Sequence, residues 1–323
     1  HATNDPSVLS GIIGGDVALS MEPGFRSIVS LNQVTSPDSP FCTGTLIGKR
    51  HVLTAAHCVA DGSTFSLIVR FAGAPEERIE VDSVKIHPDF EANLKTKGLA
   101  RMGAMDVTRD IALLKLKTSA PAGTEIATYQ KIAHLPGKTL DTRIFGYGLT
   151  SPKNTTVDGK LRSLSMQGLV DSELPFFLRY DQRGQRGFCS GDSGGPSFDL
   201  SGAHPVVVAV SSHVAPRTRF GFTRGHACEG TGSAVQVAFA ASWIDGLLEE
   251  SERREQEGCQ KEIPFLRQLL EKTEADSEQP AGLEMHPRAG SGWNYTFRGS
   301  KKDGSPIHMM IVTDGDCRII WPL

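Results

Sequence analysis

"GFCSGDSGGPSF", residues 187–198, sets four glycines and a proline around Ser193. Glycine loosens the backbone and proline removes a donor, so this stretch cannot readily continue a helix or a strand. A plain tight turn is one reading, since Gly and Pro punctuate loops. The other is a nucleophile on a rigid loop, beside free backbone N–H groups that can stabilise an oxyanion. A phosphate-binding loop fails, because "PSFDL" after the glycines is not a helix start and brings no Lys.

Outward from this loop, the chain reads as short strands parted by turns. "RSIVSL" (26–31), "GTLIG" (44–48), "SLIVRF" (66–71), "EVDSVKI" (80–86), "IALLKL" (111–116), "TRIFGYG" (142–148), "LSMQGL" (164–169) and "PVVVAVSS" (205–212) are the strand candidates. Their spacing, with 34 glycines and 18 prolines in 323 residues, predicts an all-β sandwich or barrel. "SWIDGLLEE" (242–250) switches to helical periodicity, with Ile244, Leu247 and Leu248 on one face and Ser242 placed as N-cap.

Beyond residue 250 the composition changes. "ESERREQEGCQKE" is a solvated, charge-mixed stretch, and Leu266, Leu269 and Leu270 make a short amphipathic helix after Pro264. Residues 273–292 read as a linker or irregular loop. Trp293, Tyr295 and Phe297 then alternate, as do Ile307, Met309 and Ile311, and Asp-Gly pairs precede "CRIIW". A small α+β appendage is predicted, a helix with a three-stranded meander.

A formal net charge of −3 gives no electrostatic reason to expect nucleic acid. No apolar run approaches the ~20 residues that span a bilayer. With His1 in place of an initiator Met and no apolar signal segment after it, the chain reads either as processed or as lacking its targeting sequence. The six cysteines form no C-x-x-C pair, and disulfides in an oxidising compartment are favoured over thiols.

An activated serine needs a base to accept its proton, a group to orient that base, and donors where the oxyanion forms. His57 lies in "LTAAHCV", Asp110 in "TRDIALLKL" and Ser193 in "SGDSGGP". Singly, a His beside a Cys is an ordinary loop residue and an Asp before an apolar strand an ordinary cap. In the order His, Asp, Ser they match a known catalytic arrangement. With "IIGG" (12–15), "TAAHC" (54–58), "DIALLKL" (110–116) and "GDSGGP" (191–196), residues 12–250 resemble the trypsin/chymotrypsin family of serine endopeptidases. "KIHPDF" (85–90) resembles a further family stretch.

That resemblance implies a double six-stranded antiparallel β-barrel with a C-terminal helix. It implies Ser193 as nucleophile, His57 as general base then acid, Asp110 as the group orienting His57, and the N–H groups of Gly191 and Ser193 as the oxyanion hole. It implies Cys42–Cys58 and Cys189–Cys228 disulfides, which leaves Cys259 to pair with Cys317. Polypeptide substrates and a secreted, extracellular or periplasmic location follow from the same resemblance. A protease scaffold that only binds, with catalysis silent, is the rival reading, and the presence of all three triad types argues against it.

Two features depart from the family. Cleavage before an Ile-x-Gly-Gly sequence would free an α-amino group at Ile12 to pair with Asp192, but Gly11 precedes Ile12 instead of Lys or Arg. Residues 1–11 are therefore expected to be a propeptide-like extension, and an activating protease other than a trypsin-like one a partner. The floor of the specificity pocket falls on Gly187, followed by Phe188, with no acid to meet Lys or Arg. The wall would be Ser211-Ser212-His213, facing Gly232. A narrowed pocket for a small or medium apolar P1 residue is expected. Glu76, Glu77 and Glu80 lie where the family has a calcium loop, but one acidic loop is weak ground and no metal or other cofactor is assigned.

Overall fold

The computed structural model describes residues 12–60, 67–151, 153, 156–184, 186–219, 222–224, 226–254, 282–287, 293–300, 306–313 and 319–322. Strands β1 (Ile28–Gln33), β2 (Ser36–Gly48), β3 (His51–Thr54), β4 (Leu67–Phe71), β5 (Ala74–Ile86) and β6 (Ala112–Leu116) close into a barrel in the order β1-β2-β3-β6-β5-β4. Every pairing is antiparallel. The near-continuous apolar runs are explained by burial on both faces: in β6 four of five residues are buried, and Lys115 is half-buried. Ile28, Val29, Leu31, Val52, Leu53 and Leu114 are fully enclosed, each contributing about 1.5–3 kcal/mol. Closure leaves no free strand edge.

The second barrel comprises β7 (Thr139–Gly146), β8 (Arg162–Val170), β9 (Phe177–Asp181), β10 (Pro196–Asp199), β11 (Val206–Ala215) and β12 (Thr231–Gln236). Its order is β8-β9-β12-β11-β10-β7, and β7 returns to pair with β8 along eight residues of each. The protein thus has the two closed six-stranded barrels of the chymotrypsin fold. Helix α1 (Pro88–Lys97) links β5 to β6. A second helix, α2, covers 241–254, so Ser242 lies in its first turn and does not cap it.

The chain divides into two compact units, one of residues 1–117 and 121–244 and one of residues 118–120 and 245–323. The second unit holds an antiparallel sheet of β13 (Gly282–Pro287), β14 (Trp293–Ser300), β15 (Pro306–Thr313) and β16 (Ile319–Pro322), in sequential order. This corrects the expected three-stranded meander. The extra strand, β13, falls inside the stretch read as linker, where Pro, Gly and charge mask the pattern. Its register runs Leu283↔Phe297 and Met285↔Tyr295, so its apolar positions align with those of β14. The helix expected after Pro264 lies outside the described residues.

Candidate active site

Three loops converge on one place. His57 sits on the short helical turn Ala56–Val59 after β3, and Asp110 immediately before the "IALLKL" strand. The fully buried Asp110 carboxylate accepts from His57 Nδ1 at 2.7 Å and from the His57 backbone N–H at 2.8 Å. An ionised carboxylate only accepts, so Nδ1 carries the proton and Nε2 is left as the base. About a quarter of the His57 side chain remains exposed. Burial disfavours the imidazolium, yet the Asp110 charge and hydrogen bond outweigh that and raise the His57 pKa. Burial likewise works against the Asp110 charge, and His57 and Ser212 together hold its pKa below the ordinary value.

Ser212, read from the sequence only as part of the pocket wall, has a second role that the pattern did not assign. Its hydroxyl donates to Asp110 Oδ2 at 2.6 Å. On β11, Ser211 pairs with Ala234 of β12 and His213 with the next residue back, Ser233, so Ser212 is the extra residue of a β-bulge. A bulge re-aims a side chain, and here it turns Ser212, the middle residue of the expected wall Ser211-Ser212-His213, onto the triad. Ser211 instead holds the nucleophile loop, its N–H donating to Gly195 and its carbonyl accepting from Gly194. His213 lies edge-on to Phe177 at 5.4 Å, and burial pushes its pKa down to about 4.

The Ser193 loop is pinned from the first barrel by Thr43, also unforeseen. Thr43 N–H donates to the Ser193 carbonyl at 2.8 Å, and its hydroxyl donates to the Gly191 carbonyl at 3.0 Å. With both carbonyls held away, the N–H groups of Gly191 and Ser193 have no acceptor among the described hydrogen bonds. Gly194 explains one glycine of the motif: its φ is +82°, and a methyl group there would lie 2.1 Å from Thr54 Oγ1. Disulfides join Cys42 to Cys58 and Cys189 to Cys228, bracing the His57 and Ser193 loops. Cys259 and Cys317 lie outside the described residues.

Asp192 is fully buried. It accepts from the N–H groups of Gly148 at 2.7 Å and Cys189 at 2.8 Å, and from the Ile12 amide. Burial dominates these bonds and pushes its pKa up to about 7. Ile12 is itself buried, with φ +32°, a strained setting for a β-branched residue. Phe188 is buried and edge-on to Tyr180, while Gly187 pairs with Ile13 in an isolated bridge. The sulfurs near His57 and His226 belong to the disulfides and offer no thiolate to a metal. Glu76, Glu77 and Glu80 lie on β5, where Glu80 pairs with Lys117.

Two closed barrels, a buried carboxylate paired with His57, and a glycine-bounded Ser193 whose carbonyl lies 3.7 Å from the sulfur of Cys58, next to His57, are the features of serine-type endopeptidases. The model of the Trypsin family matches residues 12–244, and the chain belongs to that family. It is 29% identical to chymotrypsin-like elastase family member 1 of Rattus norvegicus over 240 residues, 67% of this chain and 84% of that protein. It is 24% identical to chymase of the same species over 258 residues, 74% of this chain and 92% of that protein. Snake venom serine protease 1 of Craspedocephalus gramineus is 28% identical over 213 residues, 62% of this chain and 77% of that protein. Among the described residues, no helix is long and apolar enough to cross a membrane.

Proposed function

We propose that this chain is a secreted endopeptidase working through an acyl-enzyme. Ser193 Oγ attacks the scissile carbonyl while His57 Nε2 takes its proton. The imidazolium, steadied by Asp110, returns that proton to the leaving amine, and water then repeats the sequence on the acyl group. The N–H groups of Gly191 and Ser193 receive the oxyanion, at about 3 kcal/mol per donor. The observation that carries this reading is the buried carboxylate holding His57 in the tautomer a base requires.

The pocket takes a small or medium apolar P1 side chain, not Lys or Arg. Gly187 and Phe188 at its floor and the absence of an acid there support this. Residues 1–11 are a propeptide-like extension that another protease removes before Ile12, and 12–250 are the catalytic part. Residues 251–323 are a structural or targeting appendage. Fluorophosphonate labelling with peptide mass spectrometry tests this reading. A chain carrying a cleavable site before Ile12 should be labelled at Ser193 after cutting and weakly before it. Full labelling of the uncut chain refutes the zymogen, and no labelling of either form refutes the catalytic assignment in favour of a silent scaffold.

A further inference from the structure

Gln182 follows β9 and is fully buried. Its Nε2 donates to the carbonyls of Phe188 at 3.0 Å and Cys228 at 2.9 Å, spanning the two segments joined by the Cys189–Cys228 disulfide. Two carbonyl partners fix which end is the nitrogen. The other end, Oε1, is buried without a hydrogen-bond partner. That oxygen is wedged between the glycines of the pocket. A methyl group on Gly232 would lie 2.2 Å from Gln182 Oε1 and 2.7 Å from the Phe188 ring, and one on Gly187 would lie 2.4 Å from Gln182 Cδ. Gly187 and Phe188, expected at the pocket floor, and Gly232, expected to face its wall, therefore converge on one side chain. Val214 is the register partner of Gly232 and packs against the clusters containing Phe188 and Cys228.

We propose that Gln182 is a specificity-determining plug that fills the base of the primary pocket, so that only P1 side chains up to about the size of Val are accepted. The inference rests on the protease reading above and names the residue that sets its substrate class. A long P1 side chain has to enter the space held by the Gln182 amide and the Phe188 ring. The unpartnered Oε1 also rejects a P1 carboxylate, which offers it no proton. A brace for the two disulfide-linked segments would need only the Nε2 bonds, and the two hypotheses part company when the side chain's volume and its hydrogen bonds are changed separately.

The experiment uses the full chain, cut at a site placed before Ile12 and standardised by fluorophosphonate titration of Ser193. Peptides identical except for P1 Ala, Val, Leu, Phe or Arg are compared by kcat/KM. The native side chain is expected to favour Ala and Val over Leu, Phe and Arg by about 100-fold. Gln182→Ala opens the floor and should raise the Leu-to-Ala ratio about 10- to 100-fold. Gln182→Met keeps the volume without the hydrogen bonds and should retain the native P1 order with a lower Tm. Gln182→Ala slowing every peptide equally, or Gln182→Met shifting the P1 order as much as Ala does, overturns the plug. If Gln182→Ala does not fold, the unaltered enzyme still decides, because acceptance of P1 Leu or Phe on a par with Ala is incompatible with it. Failure to titrate any active serine would instead sink the protease reading on which it stands.

Discussion

Cutting the chain before Ile12 should remove a pH dependence of stability that the uncut chain carries through Asp192. In the uncut chain this carboxyl is enclosed and accepts hydrogen bonds from the neutral amides of Gly148, Cys189 and Ile12, and burial outweighs these bonds and the attraction of the Arg162 charge to lift its pKa from 3.8 to about 7. Between those values the unfolded chain releases a proton that the folded chain keeps. Stability of the uncut form therefore falls as pH rises through that window, at about 1.4 kcal/mol per pH unit. The whole interval is worth about 4 kcal/mol, and the loss levels off above pH ~7. A freed Ile12 α-ammonium replaces the amide with a full positive charge, which favours the ionised carboxylate and reverses the shift. It also frees Ile12 from the strained φ of the uncut chain. The assay is urea unfolding from pH 4 to 8 of uncut, cut and uncut Asp192→Asn chains, all carrying Ser193→Ala to prevent autolysis. Asp192→Asn has no proton to exchange, so subtracting its pH profile isolates this group. If the uncut chain minus the Asn variant is flat or rises with pH between 4 and 7, Asp192 is not an uncompensated buried acid and the reasoning fails.

Removing the Ser212 hydroxyl takes a charge-directed hydrogen bond from Asp110, and Ser212→Ala should lower kcat/KM roughly tenfold with little change in KM. The acid limb of kcat/KM against pH should have its midpoint above 6.5, because Asp110 raises the His57 pKa and only neutral His57 can accept the serine proton; a midpoint below 6.5 contradicts the assigned pair. Replacing Cys189 and Cys228 together by Ala, at a sequence separation of 39, should cost about 4 kcal/mol in chemical unfolding. The same change at Cys42 and Cys58, separated by 16, should cost about 3 kcal/mol.

What the sequence made legible is what depends on local chain chemistry. The "GDSGGP" loop needs glycine because Gly194 has a positive φ and is crowded by Thr54, so the requirement shows in a six-residue string. The strands "IALLKL" and "PVVVAV" betray burial on both faces by their continuous apolar character. Helix α1 was less visible, because Phe90 is its one buried residue and no apolar stripe repeats. Its signals were positional: Pro88 in the first turn, Asp89 and Glu91 after it, Lys95 and Lys97 in the last turn, and Gly98 beyond. The residues whose roles escaped act across the chain. Thr43 binds a loop 148 residues away through one hydroxyl, and nothing in "FCTGT" marks it for that task. Ser212 is displaced by a bulge, which a strict alternation of two cannot anticipate. Gln182 meets Cys228 across 46 residues and is fully buried, although the charged residues on either side of it, Asp181 and Arg183, are exposed. Motif spacing thus locates the atoms that react, whereas the residues that aim them and shape the pocket are fixed by strand register and by which backbone carbonyls need a donor. Two chains sharing the triad strings can therefore differ in specificity with no change inside those strings.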